Sequence, residues 1–131
     1  MSMDVTNILN KLNPQQEIAV TSECPHLLVL AGAGSGKTRI LVHRIAWKIQ
    51  VNNVPSHGVL AVTFTNKAAR EMKERIDQLL KIPAQGMWVG TFHGLAHRLL
   101  RSHWRDADLA EDFQILDSDD QLRLIKRLMR T

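Results

Sequence analysis

Stripes of apolar residues recur along the chain at spacings of three and four, which is the period of an amphipathic helix. Capping residues stand at the start of several stripes: Asn13 precedes Pro14, Asn66 opens the fourth stripe, and Ser118 with Gln121 has the spacing of a capping box. The pattern predicts helices over 4–12, from Pro14 to Val20, over 37–50, from Asn66 to Leu80, over 94–104 and from Ser118 to Met129.

Three apolar runs have the length and composition of strands. They cover 27–31, 59–64 and 87–89. An apolar run without alternation is typical of a strand that is covered on both faces of a parallel sheet. The runs 27–31 and 59–64 with the helix over 37–50 between them predict a right-handed βαβ unit in an α/β fold, in which ligands bind beyond the carboxyl ends of the strands. The residues that follow each run are therefore candidate functional residues.

A glycine-rich loop joins the first predicted strand to the helix over 37–50. Its residues are Ala31, Gly32, Ala33, Gly34, Ser35, Gly36, Lys37 and Thr38. Glycines let successive backbone N–H groups face a phosphate, Lys37 supplies a full charge for the β- and γ-phosphates, and the Thr38 hydroxyl is a Mg²⁺ ligand. This is a Walker A loop, although the strict pattern has glycine at the position of Ala31. The alternative is a glycine-rich turn that binds nothing.

Polar and aromatic residues follow the second and third predicted strands as well. They are Phe64, Thr65 and Asn66 after one strand, and Thr91, Phe92 and His93 after the other. An aromatic ring beside hydroxyl and amide groups is suited to stacking on a nucleobase while the polar groups donate to phosphates. The alternative is that both phenylalanines close the hydrophobic core.

A glutamine upstream of the loop is a further candidate. The side-chain amide of Gln16 offers a donor and an acceptor, which together can read the edge of an adenine. The alternative is a solvated glutamine on the surface of a helix.

Composition narrows the class of protein. The chain has 131 residues, one domain by length, and its 17 Lys and Arg against 13 Asp and Glu favour an anionic partner. Cys24 is its single cysteine, so an internal disulfide is excluded and a reducing cytoplasm is expected. The amino terminus has no signal-peptide core, and no apolar run approaches the roughly 20 residues of a membrane span, so we expect a soluble protein without a membrane partner.

Several motifs taken together resemble one helicase family. The chain contains LNPQQEIAV, LAGAGSGKTRILVHRIAW, AVTFTNKAAREM, WVGTFHGLAHRLLR and DFQILDSDDQLRLIKRLM. In this order they resemble the amino-terminal part of the UvrD/Rep/PcrA-type superfamily 1A DNA helicases, and the resemblance runs through nearly the whole chain. A Walker A loop alone is common to many enzymes, whereas TFTNKAAREM followed by VGTFHG is specific.

The resemblance implies an ATP-dependent 3'-to-5' DNA helicase of the DNA-repair type. It implies that Gln16 reads adenine, that Arg39 lies near the base or sugar, and that the loop of residues 31–38 holds ATP and Mg²⁺, with Lys37 and Thr38 taking part in catalysis. It implies contact with single-stranded DNA by Phe64, Thr65, Asn66, Thr91, Phe92 and His93. The implied partners are single-stranded DNA, duplex junctions and other repair proteins.

The resemblance also implies that the chain has two parts and that it lacks some motifs of the family. Residues 1–92 would be the amino-terminal part of motor domain 1A, an incomplete P-loop NTPase (RecA-like) fold with a three-layer parallel sheet, and 93–131 would begin the helical subdomain 1B. Family members carry a strand that ends in Asp-Glu, and arginine fingers. The nearest candidate here, Ile115-Leu116-Asp117, leads into a helix cap.

We therefore expect a fragment that binds nucleotide with little or no hydrolysis, because an arginine finger alone contributes about 10³ to 10⁵ in rate. We also expect some of its apolar surface to be exposed or to be buried against a neighbouring chain. The alternatives are a small-molecule P-loop kinase and a non-catalytic nucleotide- or DNA-binding module.

Overall fold

The architecture comes from a computed structural model that describes residues 4–34, 36–81 and 86–130. Contacts divide the chain into two units, Met1–Phe92 and His93–Thr131. The first unit contains α1 (Thr6–Leu9), α2 (Pro14–Thr21), α3 (Lys37–Gln50), β1 (Leu60–Thr63), α4 (Asn66–Leu80) and β2 (Trp88–Thr91). Helix α5 (Phe92–Ser102) begins at the last residue of the first unit, and α6 (Ser118–Leu128) belongs to the second.

Helix α3 contacts α1, α2 and α4, and its apolar face carries much of the core of the first unit. The buried residues of that face are Ile40, Val42, Ile45 and Ala46. They form one cluster with Ile8 of α1, Ala19 and Val20 of α2, Ala61 of β1, and Met72, Ile76 and Leu80 of α4. The predicted bounds of α3 are confirmed, and so is the apolar stripe of α4.

Strands β1 and β2 form a parallel pair connected through α4. This βαβ unit is not the predicted one, which joined the runs 27–31 and 59–64 through the helix over 37–50, because the described residues of 27–31 form no strand. The register pairs Leu60 with Trp88 and Thr63 with Thr91. The carboxyl ends of the two strands therefore lie side by side, and the residues that follow them share one edge of the sheet.

The prediction of a strand over residues 27–31 is wrong. The predicted sheet of three strands is also wrong, because the described residues form a sheet of two strands. Leu27 and Val29 are each 41% exposed and line a cleft with residues of α3, whereas Leu28 and Leu30 are 82% and 87% exposed. Alternate side chains are therefore less exposed than their neighbours, which is the pattern of an extended segment with one face nearer the rest of the unit. A strand also needs a neighbour for its backbone groups, and this segment pairs with neither β1 nor β2. The expected exposure of apolar surface is confirmed.

Two helix caps lie one residue before the predicted ones. Thr65 rather than Asn66 caps α4, and Asp117 rather than Ser118 caps α6. Each cap side chain accepts a hydrogen bond from the backbone N–H three residues later, at 3.1 and 2.7 Å. The cap residues have the extended backbone angles that this position requires, whereas the predicted residues are already helical.

Helices α1 and α5 have other bounds than the predicted ones. Helix α1 covers Thr6–Leu9 rather than 4–12. Helix α5 begins at Phe92, directly after the last residue of β2, rather than at Gly94.

Within the described ranges, no helix is both long enough and apolar enough to cross a membrane.

In the second unit, half-buried Phe113 packs on one face of α5. Its ring centroid lies 5.5 Å from that of His97, and the guanidinium of Arg101 lies 4.8 Å above the ring. Arg101 also donates to the backbone carbonyl of Glu111 at 2.8 Å. Helix α6 contains no buried residue, and Met129 just after it is 81% exposed.

Candidate nucleotide and DNA sites

The turn into α3 requires glycine at two positions. Gly34 and Gly36 have φ angles of +75° and +81°, in the left-handed region that side chains with a Cβ disfavour. Gly36 is the N-cap of α3, and its carbonyl accepts the first helical hydrogen bond from Ile40 at 3.0 Å. The sequence therefore places Lys37 and Thr38 in the first turn, where the backbone N–H groups have no helical acceptor.

Gln16 lies against this turn. Its backbone N–H donates to the Asn13 side chain at 2.8 Å, and its own side-chain oxygen accepts from the Asn13 backbone at 3.1 Å, forming a capping box at the start of α2. The amide nitrogen Nε2 lies close to Gly36: a Cβ built on that glycine would stand 2.9 Å from Nε2. The capping box of α2 thus holds the Gln16 side chain at the amino end of α3. The absence of a Cβ on Gly36 leaves the space that this side chain occupies.

A cleft of about 740 Å³ opens at this point. It is lined by Asn13, Gln16, Ala33, Gly34, Gly36, Lys37, Thr38, Arg39 and Arg75. Seven of these residues were predicted from the sequence, and the structure brings them together. Ala31 and Gly32 do not line this cleft, and Ser35 lies outside the described residues.

Arg75 is a residue of this cleft that sequence reasoning missed. Its position in the pattern assigned it to the solvent-facing side of α4, and a helical stripe does not tell which neighbouring element an exposed residue approaches. Arg75 also lines an adjoining cleft with Arg39 and Lys11. Arg39 donates to the backbone carbonyl of Lys11 at 3.4 Å, so the segment between α1 and α2 borders the same region.

The residues of the cleft fit a nucleoside triphosphate. Lys37, Arg39 and Arg75 place three cations on its wall, and none of the described lining residues is a carboxylate. Cations and helix N–H groups without a competing anion are what a polyphosphate requires. Thr38 offers Mg²⁺ a single hydroxyl, which fits an ion whose other ligands are phosphate oxygens and water. The described residues contain no group of three metal-ligating side chains.

Phe64 and Phe92 form an exposed aromatic pair at the carboxyl ends of β1 and β2. They are 90% and 59% exposed, and their ring centroids are 5.7 Å apart at an interplanar angle of 49°. The alternative that these rings close the hydrophobic core is therefore wrong. The pair is brought together by the register in which Thr63 lies opposite Thr91.

The polar residues of this edge that belong to the first unit are placed by α4 and β2. Thr65 and Asn66 are exposed at the start of α4, where the Thr65 hydroxyl serves as the cap. Thr91 is half-buried as the last residue of β2, and His93 is exposed in the first turn of α5. The first turn of α4 leaves backbone N–H groups without helical acceptors at this edge.

Comparison with known proteins shows the family of the chain. A family model, UvrD/REP helicase N-terminal domain, matches residues 12–131. The chain belongs to this family. Its similarity to DNA helicase II of Escherichia coli is 63% identity over 128 residues, and to ATP-dependent DNA helicase PcrA of Bacillus subtilis 46% over 123 residues. The resemblance to UvrD and PcrA proteins that was read from the motifs is thereby confirmed.

Each of the two alignments covers nearly all of this chain but only a small part of the relative. They include 98% and 94% of this chain but 18% and 17% of the relatives. DNA helicase II of Haemophilus influenzae, 58% identical over 132 residues, is also covered over 18% of its length. The chain thus spans less than a fifth of the curated relatives that it matches, and the activity of the whole protein stays a proposal.

Gly36→Ala is expected to lower the free energy of unfolding by about 1 to 2 kcal/mol, because alanine is strained at a positive φ. It should also weaken ATP binding, because the new methyl group displaces the Gln16 amide. Urea denaturation and nucleotide titration measure the two effects. Gly32→Ala is the matched control, since its Cβ would meet nothing within 4 Å and its φ is not positive. Equal behaviour of the two variants would contradict the geometry of the turn.

Proposed function

We propose that this chain supplies nucleotide-binding and strand-binding parts of an ATP-dependent 3'-to-5' DNA helicase of the DNA-repair type. The observation that carries the proposal is the Gln16 amide seated on Gly36, beside Lys37 and Thr38, in a cleft whose described lining has cations and no carboxylate. A base-reading group next to a phosphate-binding helix mouth is what an adenine nucleotide needs. Membership of a helicase family supports the same reading.

In the nucleotide cleft, each residue has a distinct task. Lys37 and the first N–H groups of α3 bind the β- and γ-phosphates, and Arg75 adds a positive charge from α4. The Thr38 hydroxyl would be a ligand of Mg²⁺, and the ion would supply positive charge to the phosphates. Gln16 pairs with adenine, and Arg39 lies against the base or sugar.

At the strand-end edge, Phe64 and Phe92 stack on bases of single-stranded DNA. Two tilted rings 5.7 Å apart present separate faces, so successive bases can each contact one ring. The exposed N-terminus of α4 with Thr65 and Asn66, together with Thr91 and His93, would donate hydrogen bonds to the phosphates.

Turnover needs parts that this sequence does not supply. Asp117, the nearest acid after an apolar pair, is used as the cap of α6, and Leu116 before it is 51% exposed rather than in a strand. We propose that residues 1–92 are the amino-terminal part of motor domain 1A, that 93–131 begin subdomain 1B, and that the chain alone binds ATP without hydrolysing it. A cytoplasmic setting agrees with the single, exposed Cys24.

A chimera tests this proposal. This chain replaces the aligned segment of Escherichia coli DNA helicase II, to which it is 63% identical over 128 residues. We expect the chimera to unwind a duplex with a 3' single-stranded tail when ATP is present, and to leave a 5'-tailed duplex intact. The isolated chain serves as the control and should bind ATP and single-stranded DNA while releasing no phosphate above background.

Two results would redirect the interpretation. ATP binding without any binding of single-stranded DNA by the isolated chain would favour a small-molecule P-loop kinase. A folded chimera that binds ATP and DNA but unwinds neither substrate would favour a non-catalytic binding module.

A further inference from the structure

Arg44 joins the end of α2 to the middle of α3. Its Nη1 donates to the backbone carbonyls of Ala19 at 2.8 Å, Ser22 at 3.0 Å and Val20 at 3.4 Å. These carbonyls lie at the carboxyl end of α2, where the last groups of a helix have no helical donor and a positive charge is favourable. The arginine is half-buried, so the bonds are partly shielded from water.

Helix α2 depends on this attachment because its apolar contact is small. Of its eight residues, Ala19 and Val20 are buried, whereas Ile18 is 70% exposed. The two buried side chains are among the smaller apolar ones and bury little area. A charged donor shared by several carbonyls is therefore a large part of what keeps α2 in one place along α3.

The two ends of α2 meet α3 at different points. At its amino end Gln16 lies on Gly36, and at its carboxyl end the last carbonyls lie on Arg44. Because Arg44 follows Lys37 by about two helical turns, α3 carries both the phosphate-binding turn and the anchor of the neighbouring helix. A small slide of α2 along α3 would thus move the Gln16 amide relative to a bound base.

We propose that Arg44 is a positioning residue for base recognition, which sets the place of Gln16 over Gly36 and thereby the preference for adenine over guanine. This inference rests on the proposed role of Gln16 in reading ATP. An amide offers a donor and an acceptor, which match the donor and acceptor on the outer edge of adenine, whereas guanine presents two acceptors there. The match depends on the position of the amide, which Arg44 governs through α2.

The test compares the dissociation constants of Mg-ATP and Mg-GTP for the 131-residue chain, measured by competition with a fluorescent nucleotide. The two ligands share sugar and phosphates, so their affinity ratio reports the base alone. We expect Arg44→Met to reduce the preference for ATP about fivefold, as the loss of one positioned hydrogen bond would, with the affinity for GTP changed less than about twofold. Gln16→Ala removes the amide itself and should therefore show the largest loss of preference for ATP.

Lys48→Met is the matched control, because it removes a positive charge from the same helix one turn further on. It should leave the ratio unchanged. Arg44→Lys keeps the charge and most of the stem but lacks the planar donor group, so its ratio should lie between those of wild type and Arg44→Met. This variant decides the matter if circular dichroism shows that Arg44→Met does not fold.

Three outcomes would overturn the inference, and they are distinguishable. A wild-type preference for ATP that persists in folded Arg44→Met, or in Arg44→Lys where the methionine variant is unfolded, excludes a positioning role for Arg44 and leaves the proposed function standing. Equal affinity of wild type for ATP and GTP removes the base-reading role of Gln16, and the inference falls with it. A parallel loss of both affinities would mean that Arg44 acts on stability alone and would also overturn it.

Discussion

Lys37→Ala is expected to weaken the binding of Mg-ATP by about 10-fold to 100-fold, the equivalent of roughly 1.5 to 3 kcal/mol for hydrogen bonds to a charged group. Lys37 is exposed in the first turn of α3 and lines the cleft beside Gly34 and Gly36. Its ammonium group adds a full charge to the partial charge of the helix N-terminus, and alanine removes that charge without removing the turn. Titration with a fluorescent ATP analogue measures the loss.

The stability of this variant separates binding from folding. Because Lys37 is exposed, its replacement should change the free energy of unfolding by less than about 0.5 kcal/mol. Lys48→Ala, which removes a lysine near the other end of α3, controls for net charge and should leave ATP affinity within about twofold of wild type. Unchanged ATP affinity in Lys37→Ala would show that the nucleotide does not bind at the amino end of α3.

Phe64→Ala is expected to weaken the binding of single-stranded DNA by about fivefold to 100-fold, since stacking contributes about 1 to 3 kcal/mol per base. The ring is 90% exposed, so its removal costs little packing, and the neighbouring Phe92 loses its tilted partner at the same time. The double variant Phe64→Ala with Phe92→Ala should bind more weakly still. Fluorescence anisotropy of a labelled oligonucleotide at one fixed salt concentration measures both.

Leu60→Ala is the matched control for this experiment. Leu60 is also an exposed apolar residue of β1, at 65%, but it lies at the amino end of the strand and has no aromatic face. Phe64→Trp should retain most of the affinity, because an indole ring also stacks on bases. Equal loss in Leu60→Ala and Phe64→Ala would mean that general surface hydrophobicity, not stacking at the strand end, binds the DNA.

Much of the candidate site could be predicted because its chemistry is local in sequence. The loop of residues 31–38 combines glycines, a lysine and a threonine at the start of an amphipathic helix, and these residue types have few other uses in that order. Helix α3 was predicted at its observed bounds for a similar reason, since its apolar spacing and its glycine start agree. The placement of Asn13 as the cap of α2 was also correct.

The segment 27–31 shows where local composition misleads. Its continuous apolar run is typical of a strand covered on both sides, but only one face lies nearer the rest of the unit and no described strand pairs with it. Strand formation depends on hydrogen-bond partners that are remote in sequence, so an apolar run alone does not establish it. The same limit applies to Arg75, whose approach to the cleft depends on how α4 packs against α3.

The sequence by itself determined the candidate phosphate-binding residues, the helix that carries most of them and the family resemblance, because those signals reside in short contiguous motifs. Tertiary structure alone decided that Gln16 rests on Gly36, that Arg44 holds the end of α2, and that Phe64 and Phe92 are an exposed pair rather than core. Each of these facts depends on the packing of elements that are distant along the chain, and neither residue type nor periodicity encodes that packing residue by residue.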